Sequence, residues 1–94
     1  AMRRARDLTV HWGEEICAEC TWGSDIVTAA SLHFAASTPQ GALLNTCDLS
    51  SYVAPRIAPD CPNRNDGRIA PPTGAGLGVT PDMERLGAPI LELD

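Results

Sequence analysis

The stretch Glu15-Ile16-Cys17-Ala18-Glu19-Cys20-Thr21-Trp22-Gly23-Ser24-Asp25-Ile26 carries the reading that decides the fold. Residues 15–20 form a short, mostly apolar run with apolar side chains on both faces, which suits a strand buried in a parallel sheet. Trp22-Gly23 breaks the run. Ser24 is a good helix N-cap, and Asp25 in the first turn suits the positive end of the helix dipole. The helix face is expected along Ile26, Ala29, Ala30, His33 and Ala36–Ser37, with Pro39 just beyond its end.

Upstream, Met2, Ala5, Leu8, Thr9 and Trp12 fall at helical spacing, with Arg3, Arg4 and Arg6 on the other side and Gly13 as the stop. Nothing before Met2 could cap this helix, so it reads as one that has lost its beginning. Residues 1–40 thus read helix, strand, helix, the rhythm of an α/β barrel or a doubly wound sheet. From 41 to 94 the texture changes, and Pro, Gly, Asn and Asp dominate. Asn65-Asp66-Gly67 predicts a tight turn between Pro62–Arg64 and Arg68–Ala70. The glycines at 74, 76 and 78 predict an irregular crossing. Thr80 as N-cap, Pro81 at the first helical position and Gly87 as stop predict a last short helix, and Ala88 to Leu93 a terminal strand.

Composition narrows the function. The 94 residues include one Phe, one Tyr and two Trp, so Ala, Gly and Pro supply much of the bulk. Small side chains bury little area at roughly 25 cal/mol per Å², and a core built of them is thin. This points to a piece of something larger. The net charge of −5 argues against a nucleic-acid or anionic-membrane partner, since both select clustered positive charge. No run approaches the roughly 18 apolar residues of a membrane span, and the Arg-rich start lacks the apolar core of a signal peptide. A cytoplasmic chain is expected.

Several residues could carry chemistry. In a barrel, catalytic groups sit at strand C-termini and in the loops that follow. Glu19, at the end of the first strand, is the candidate there, and its alternative is a carboxylate that caps a helix or pairs with an Arg. Trp22 could close a pocket or hold a cation against its indole, or simply pack. The Cys17-x-x-Cys20 pair could be a redox or zinc motif, but Cys47 and Cys61 do not repeat its spacing, so buried thiols are the favoured reading. His33 reads as a satisfied core residue, and Asp25 as a helix cap rather than a metal ligand. Gly74-Ala75-Gly76-Leu77-Gly78 follows no convincing strand and does not match a dinucleotide loop.

Glu19-Cys20-Thr21-Trp22-Gly23-Ser24-Asp25-Ile26, then Ala29-Ala30 and Ala35-Ala36-Ser37-Thr38-Pro39, resemble the last barrel strand and following helix of the mandelate racemase/muconate lactonizing group of the enolase superfamily. Asn65-Asp66-Gly67-Arg68 and Gly76-Leu77-Gly78-Val79-Thr80-Pro81-Asp82 resemble the segment with which those enzymes return to their capping domain. The resemblance implies an α/β fold, the C-terminal part of a (β/α)7β TIM-type barrel. Residues 1–40 would supply the last barrel helix, the last barrel strand and the following helix, and 41–94 the segment packing toward the capping domain. It further implies an Mg²⁺-dependent racemase, epimerase, cycloisomerase or dehydratase that abstracts a proton α to a carboxylate.

By the same resemblance Glu19 would be the catalytic acid facing the substrate carboxylate and Trp22 a substrate-binding residue. The Trp-Gly-Ser-Asp-Ile version of the motif is similar to that of members acting on proline-like and betaine-like compounds. The Mg²⁺ ligands lie on earlier strands, and the family's K-x-K base cannot be here because the chain has no Lys. Alone, the chain is expected to be inactive and to need the missing barrel and capping domain, or self-association. The rival reading is a small independent interaction or zinc-binding module.

Overall fold

The computed structural model describes residues 1–93. Helix α1 spans Met2–His11, strand β1 Ile16–Ala18, helix α2 Ser24–Ala36, strand β2 Leu43–Thr46 and helix α3 Met83–Leu86, with a 3-10 turn at Leu49–Tyr52. α1 stops where Gly13 takes φ +76°, as its sequence predicts.

β1 and β2 pair in parallel, with Cys17 opposite Asn45 and Ala18 opposite Thr46. The amide of Ile16 donates to the Ala42 carbonyl at 2.7 Å and that of Cys47 to Ala18 at 2.9 Å. α2 connects the two strands, so residues 16–46 form a β-α-β unit. The sheet therefore runs past the expected boundary at residue 40. β1 is not the last strand of the chain, and β2 covers one of its two edges.

Alternation along the strands divides the sheet into two faces. Ala18 and Cys20 are buried on the side that α2 covers. Cys17, Glu19 and Asn45 are exposed on the other side, and the Cys17 thiol donates to Asn45 Oδ1 at 2.6 Å across the pair. One face of this parallel sheet is thus packed and the other bare.

The buried side of α2 is Asp25, Thr28, Ala29, Ser31, Leu32 and Ala35. This corrects the expected face: Ala30, Ala36 and Ser37 are exposed, and Ile26 and His33 half-buried. The apolar content of α2 is nearly uniform, so the side that faces inward is set by the strands and by loop 48–61 rather than by a stripe in the sequence. Ser24 is the first helical residue and makes no side-chain cap. Its backbone at φ +78° already departs from a normal N-cap.

The C-terminal half follows its turn signals more than its expected elements. Asp66 and Gly67 both take positive φ, and Asn65 and Arg68 exchange two backbone hydrogen bonds, which closes the predicted tight turn. No strands extend from it beyond that single bridge. Asp82, not Thr80, caps α3, accepting the Arg85 amide at 3.3 Å. Residues 88–93 form no strand; Ile90, Leu91 and Leu93 lie exposed. Without a neighbouring strand the alternation there has nothing to pair with.

Candidate functional site

At the carboxyl end of β1 the chain makes a turn whose conformation is costly. The Gly23 amide donates to the Cys20 carbonyl at 2.9 Å, while Thr21 and Trp22 take φ +48° and +61°. Positive φ at both central positions suits Asn and Gly, and it is unfavourable for β-branched Thr and bulky Trp. Gly23 is required for space. A Cβ there would meet Val27 Cγ2 at 2.6 Å.

The turn is anchored underneath by a buried polar cluster. Cys20 is wholly inaccessible and Ser50 nearly so. Ser50 Oγ donates to the Ser24 carbonyl at 2.9 Å, meets Thr28 Oγ1 at 2.7 Å and lies 3.6 Å from Cys20 Sγ. The Ser24 carbonyl can only accept, whereas in the Thr28–Ser50 pair either hydroxyl can be the donor. Burial alone would raise the Cys20 thiol pKa. Hydrogen bonding from Ser50, the Thr28 hydroxyl and the Trp22 amide outweighs it and holds the thiol below its ordinary value.

Beside this turn, Trp22, Ser24, Asp25, Ser50, Val53, Pro55, Arg56 and Ile57 line a cavity of about 110 Å³. Trp22 is 59% exposed and forms its rim. Its only carboxylate, Asp25, is spoken for: Oδ1 accepts Arg56 Nε at 2.6 Å and Oδ2 the Ala58 amide at 3.0 Å. Arg56 in turn donates to Asn63 Oδ1 at 2.6 Å and to the Cys61 carbonyl at 3.2 Å. Asp25 therefore neither caps its own helix, as expected, nor faces a ligand. It ties α2 to the returning loop.

Glu19 lies at the carboxyl end of β1, exposed, on the bare sheet face, and does not line the Trp22 cavity. Burial raises the pKa of the nearby Cys47 thiol, and the Cys17 and Glu19 charges add to the effect. The strand end thus brings Glu19, Cys17, Cys47 and Asn45 together on one face, with Trp22 on the adjoining turn. Asn45, Arg56 and Ser50 were not foreseen as part of this region. Arg56 stands isolated in a Pro-rich stretch, and its partner Asp25 is remote in sequence. His33 is half-buried and donates from Nε2 to the Leu77 carbonyl at 3.1 Å, fastening the glycine-rich crossing.

The four cysteines are free. Among the described residues, no group of three or more His, Cys, Asp or Glu side chains is placed to hold a metal ion, so the zinc-module reading is not favoured. No described helix is long and apolar enough to cross a membrane.

Comparison with known proteins places the arrangement. Residues 1–85 match the family model described as enolase C-terminal domain-like. The chain is 42% identical over 85 residues to a cis-3-hydroxy-L-proline dehydratase of Roseibium aggregatum, covering 90% of this chain and 23% of that protein. A mandelate racemase/muconate lactonizing enzyme structure from Roseovarius nubinhibens superposes with a TM-score of 0.86 at 42% identity, over 95% of this chain and 24% of that one. A second enolase-superfamily structure from the same organism gives 0.87 at 36% identity, with the same coverage. The chain spans about a quarter of the length of these relatives, and it belongs to the enolase superfamily, in the family of C-terminal domains typified by mandelate racemase and muconate lactonizing enzyme.

Proposed function

We propose that these 94 residues are the C-terminal part of a (β/α)7β barrel enzyme that removes the proton α to the carboxylate of a proline-like amino acid and, as a dehydratase, expels a β-hydroxyl. The observation that carries this reading is the placement of Glu19 and Trp22 at the carboxyl end of a strand in a parallel β-α-β unit, the end where barrel enzymes put their chemistry. The 42% identity to a hydroxyproline dehydratase supports the substrate class. With β2 as the last of the eight strands, β1 is the seventh, so Glu19 reaches the barrel mouth from one strand earlier than its sequence implies.

In this reading the bare sheet face bearing Cys17, Glu19, Asn45 and Cys47 lines the barrel interior. Parallel sheets are covered on both faces, and the cover here would be the other six strands. Glu19 would hydrogen-bond the substrate carboxylate as negative charge builds on it in the enediolate. The Trp22 indole would lie against the ring ammonium, an interaction that needs no carboxylate partner. Mg²⁺, when bound, would stabilise the enediolate charge. The described residues do not converge on a metal site, so its ligands would come from the remainder of the barrel, as would a Lys base, since the chain has no Lys.

The test is proton exchange and dehydration in the protein that carries these residues. Incubated with cis-3-hydroxy-L-proline in deuterated water, it should exchange the α-proton and release the dehydrated product. Glu19→Gln should lower kcat and Trp22→Ala should raise KM. Full activity in both variants would refute the residue assignments, and no exchange with any proline-type amino acid would refute the substrate class.

A further inference from the structure

The turn that presents Trp22 is expensive, and its cost is met in one place. Thr21 and Trp22 both adopt positive φ without the glycine or asparagine that such a turn favours. Left-handed backbone in non-Gly residues is strained and persists only where the surroundings over-determine it. Each end of this turn contacts the same side chain. Ser50 Oγ bonds the Ser24 carbonyl on the far side at 2.9 Å and touches Cys20 Sγ on the near side at 3.6 Å. Thr28, from the first turns of α2, orients that hydroxyl at 2.7 Å. All three side chains are buried.

We infer that Ser50, held by Thr28, is a positioning residue: it clamps Cys20 and Ser24 so that the strained Thr21-Trp22 turn persists and the indole stays fixed at the rim of its cavity. The inference rests on Trp22 being the ligand contact proposed above. A simpler turn with Gly at its centre would leave the indole free to swing, and ordering it would then have to be met on binding. The clamp pre-orders it. Ser50 comes from the 3-10 turn just after β2, so the clamp also couples the carboxyl ends of the two strands.

Trp12→Phe leaves Trp22 as the sole indole, because the chain has two Trp. In that background, fluorescence anisotropy and near-ultraviolet circular dichroism read Trp22 with no ligand present. Ser50→Ala should keep the far-ultraviolet helix signal, shift Trp22 emission to the red and lower its anisotropy. Ser50→Thr, which keeps a hydroxyl, should retain the parent values. Unchanged Trp22 signals in a folded Ser50→Ala variant would overturn the clamp. Should Ser50→Ala unfold, Thr21→Asn combined with it decides, since Asn accepts positive φ at low cost. Recovery of an ordered Trp22 supports the clamp, and failure to recover overturns it. Binding of cis-3-hydroxy-L-proline by the whole protein, compared with that by its Trp22→Ala variant, tests the ligand reading separately, so the two can fail independently.

Discussion

Arg56 Nε lies 2.6 Å from Asp25 Oδ1, joining the first turn of α2 to a loop 31 residues further along the chain. Asp25 is almost wholly buried, whereas Arg56 keeps about a quarter of its side chain in solvent. The pair is completed by the Ala58 amide on Oδ2 and by Asn63 and Cys61 on the guanidinium. This is how a segment rich in Pro and short of large apolar residues is held against the helix.

Removing one partner of such a pair leaves a buried group unsatisfied, which costs far more than the pair itself contributes. Asp25→Ala is expected to destabilise the folded chain by about 3 kcal/mol, read as a lower urea midpoint at an unchanged slope. Arg56→Met should cost at least as much, because it leaves the buried Asp25 carboxylate with the Ala58 amide but no countercharge, whereas the guanidinium freed by Asp25→Ala still reaches Asn63, the Cys61 carbonyl and solvent. A loss below about 1 kcal/mol for Asp25→Ala would show that water replaces the partners freely.

The space at Gly23 gives a second expectation. Its added methyl would sit 2.6 Å from Val27 Cγ2, so Gly23→Ala should destabilise by about 1–3 kcal/mol through overpacking. Val27 is partly exposed, and Val27→Ala, which removes both Cγ methyls but keeps the Cβ 2.9 Å from the added methyl, should restore part of that loss in the double variant. Additive losses in the double-mutant cycle would place the cause in the backbone rather than in this contact.

Alkaline stability should report the cysteines with opposite signs. Burial, reinforced by the Asp25 charge, raises Cys61 above its ordinary 9.0, so the unfolded chain loses this proton first. The stability due to a neutral Cys61 is complete below pH 9.0 and is lost as pH rises through the folded value. Cys20 is lowered instead, so its contribution grows as pH rises from the folded value and is complete above 9.0. Denaturant titrations between neutral and alkaline pH should therefore show a shallower alkaline decline in Cys61→Ala and a steeper one in Cys20→Ala. Parallel curves for the two variants would contradict the assigned environments.

The free edge of β1 and the bare sheet face predict association. An unpaired strand edge invites pairing with another chain. Exposed Met2 and Leu8 on α1 and Trp12 just after it, together with Ile90, Leu91 and Leu93, add apolar surface. The 94-residue chain alone should sediment as concentration-dependent oligomers and should become monodisperse when the complementary barrel segment is supplied. A cooperative, monomeric melt at micromolar concentration would count against the need for that segment.

Much of this organisation was legible in residues alone. The helix from Met2, the stop at Gly13, the Trp22-Gly23 break and the Asn65-Asp66-Gly67 turn each depend on neighbours a few positions away, and each appears as read, although the expected apolar side of that helix is exposed at Met2, Leu8 and Trp12 while Arg6 reaches inward to Ser37. The ordered motifs also placed the chain in its superfamily. β2 was not legible: Leu43-Leu44-Asn45-Thr46 is short and lacks clear alternation, and it becomes a strand because Ala42, Cys47 and their neighbours find β1. The cap at Thr80 and the strand at 88–93 were expected from local signals that no partner supported.

What the sequence determined, then, was the local rhythm and the family, since backbone propensity and motif order are written within short windows. What only the tertiary structure decided was which face of α2 is buried, that Asp25 answers Arg56, and that Ser50 underlies the Trp22 turn. Those depend on atoms brought within hydrogen-bond reach across twenty to thirty intervening residues, and the energy of such a contact exists only once the chain has closed around it.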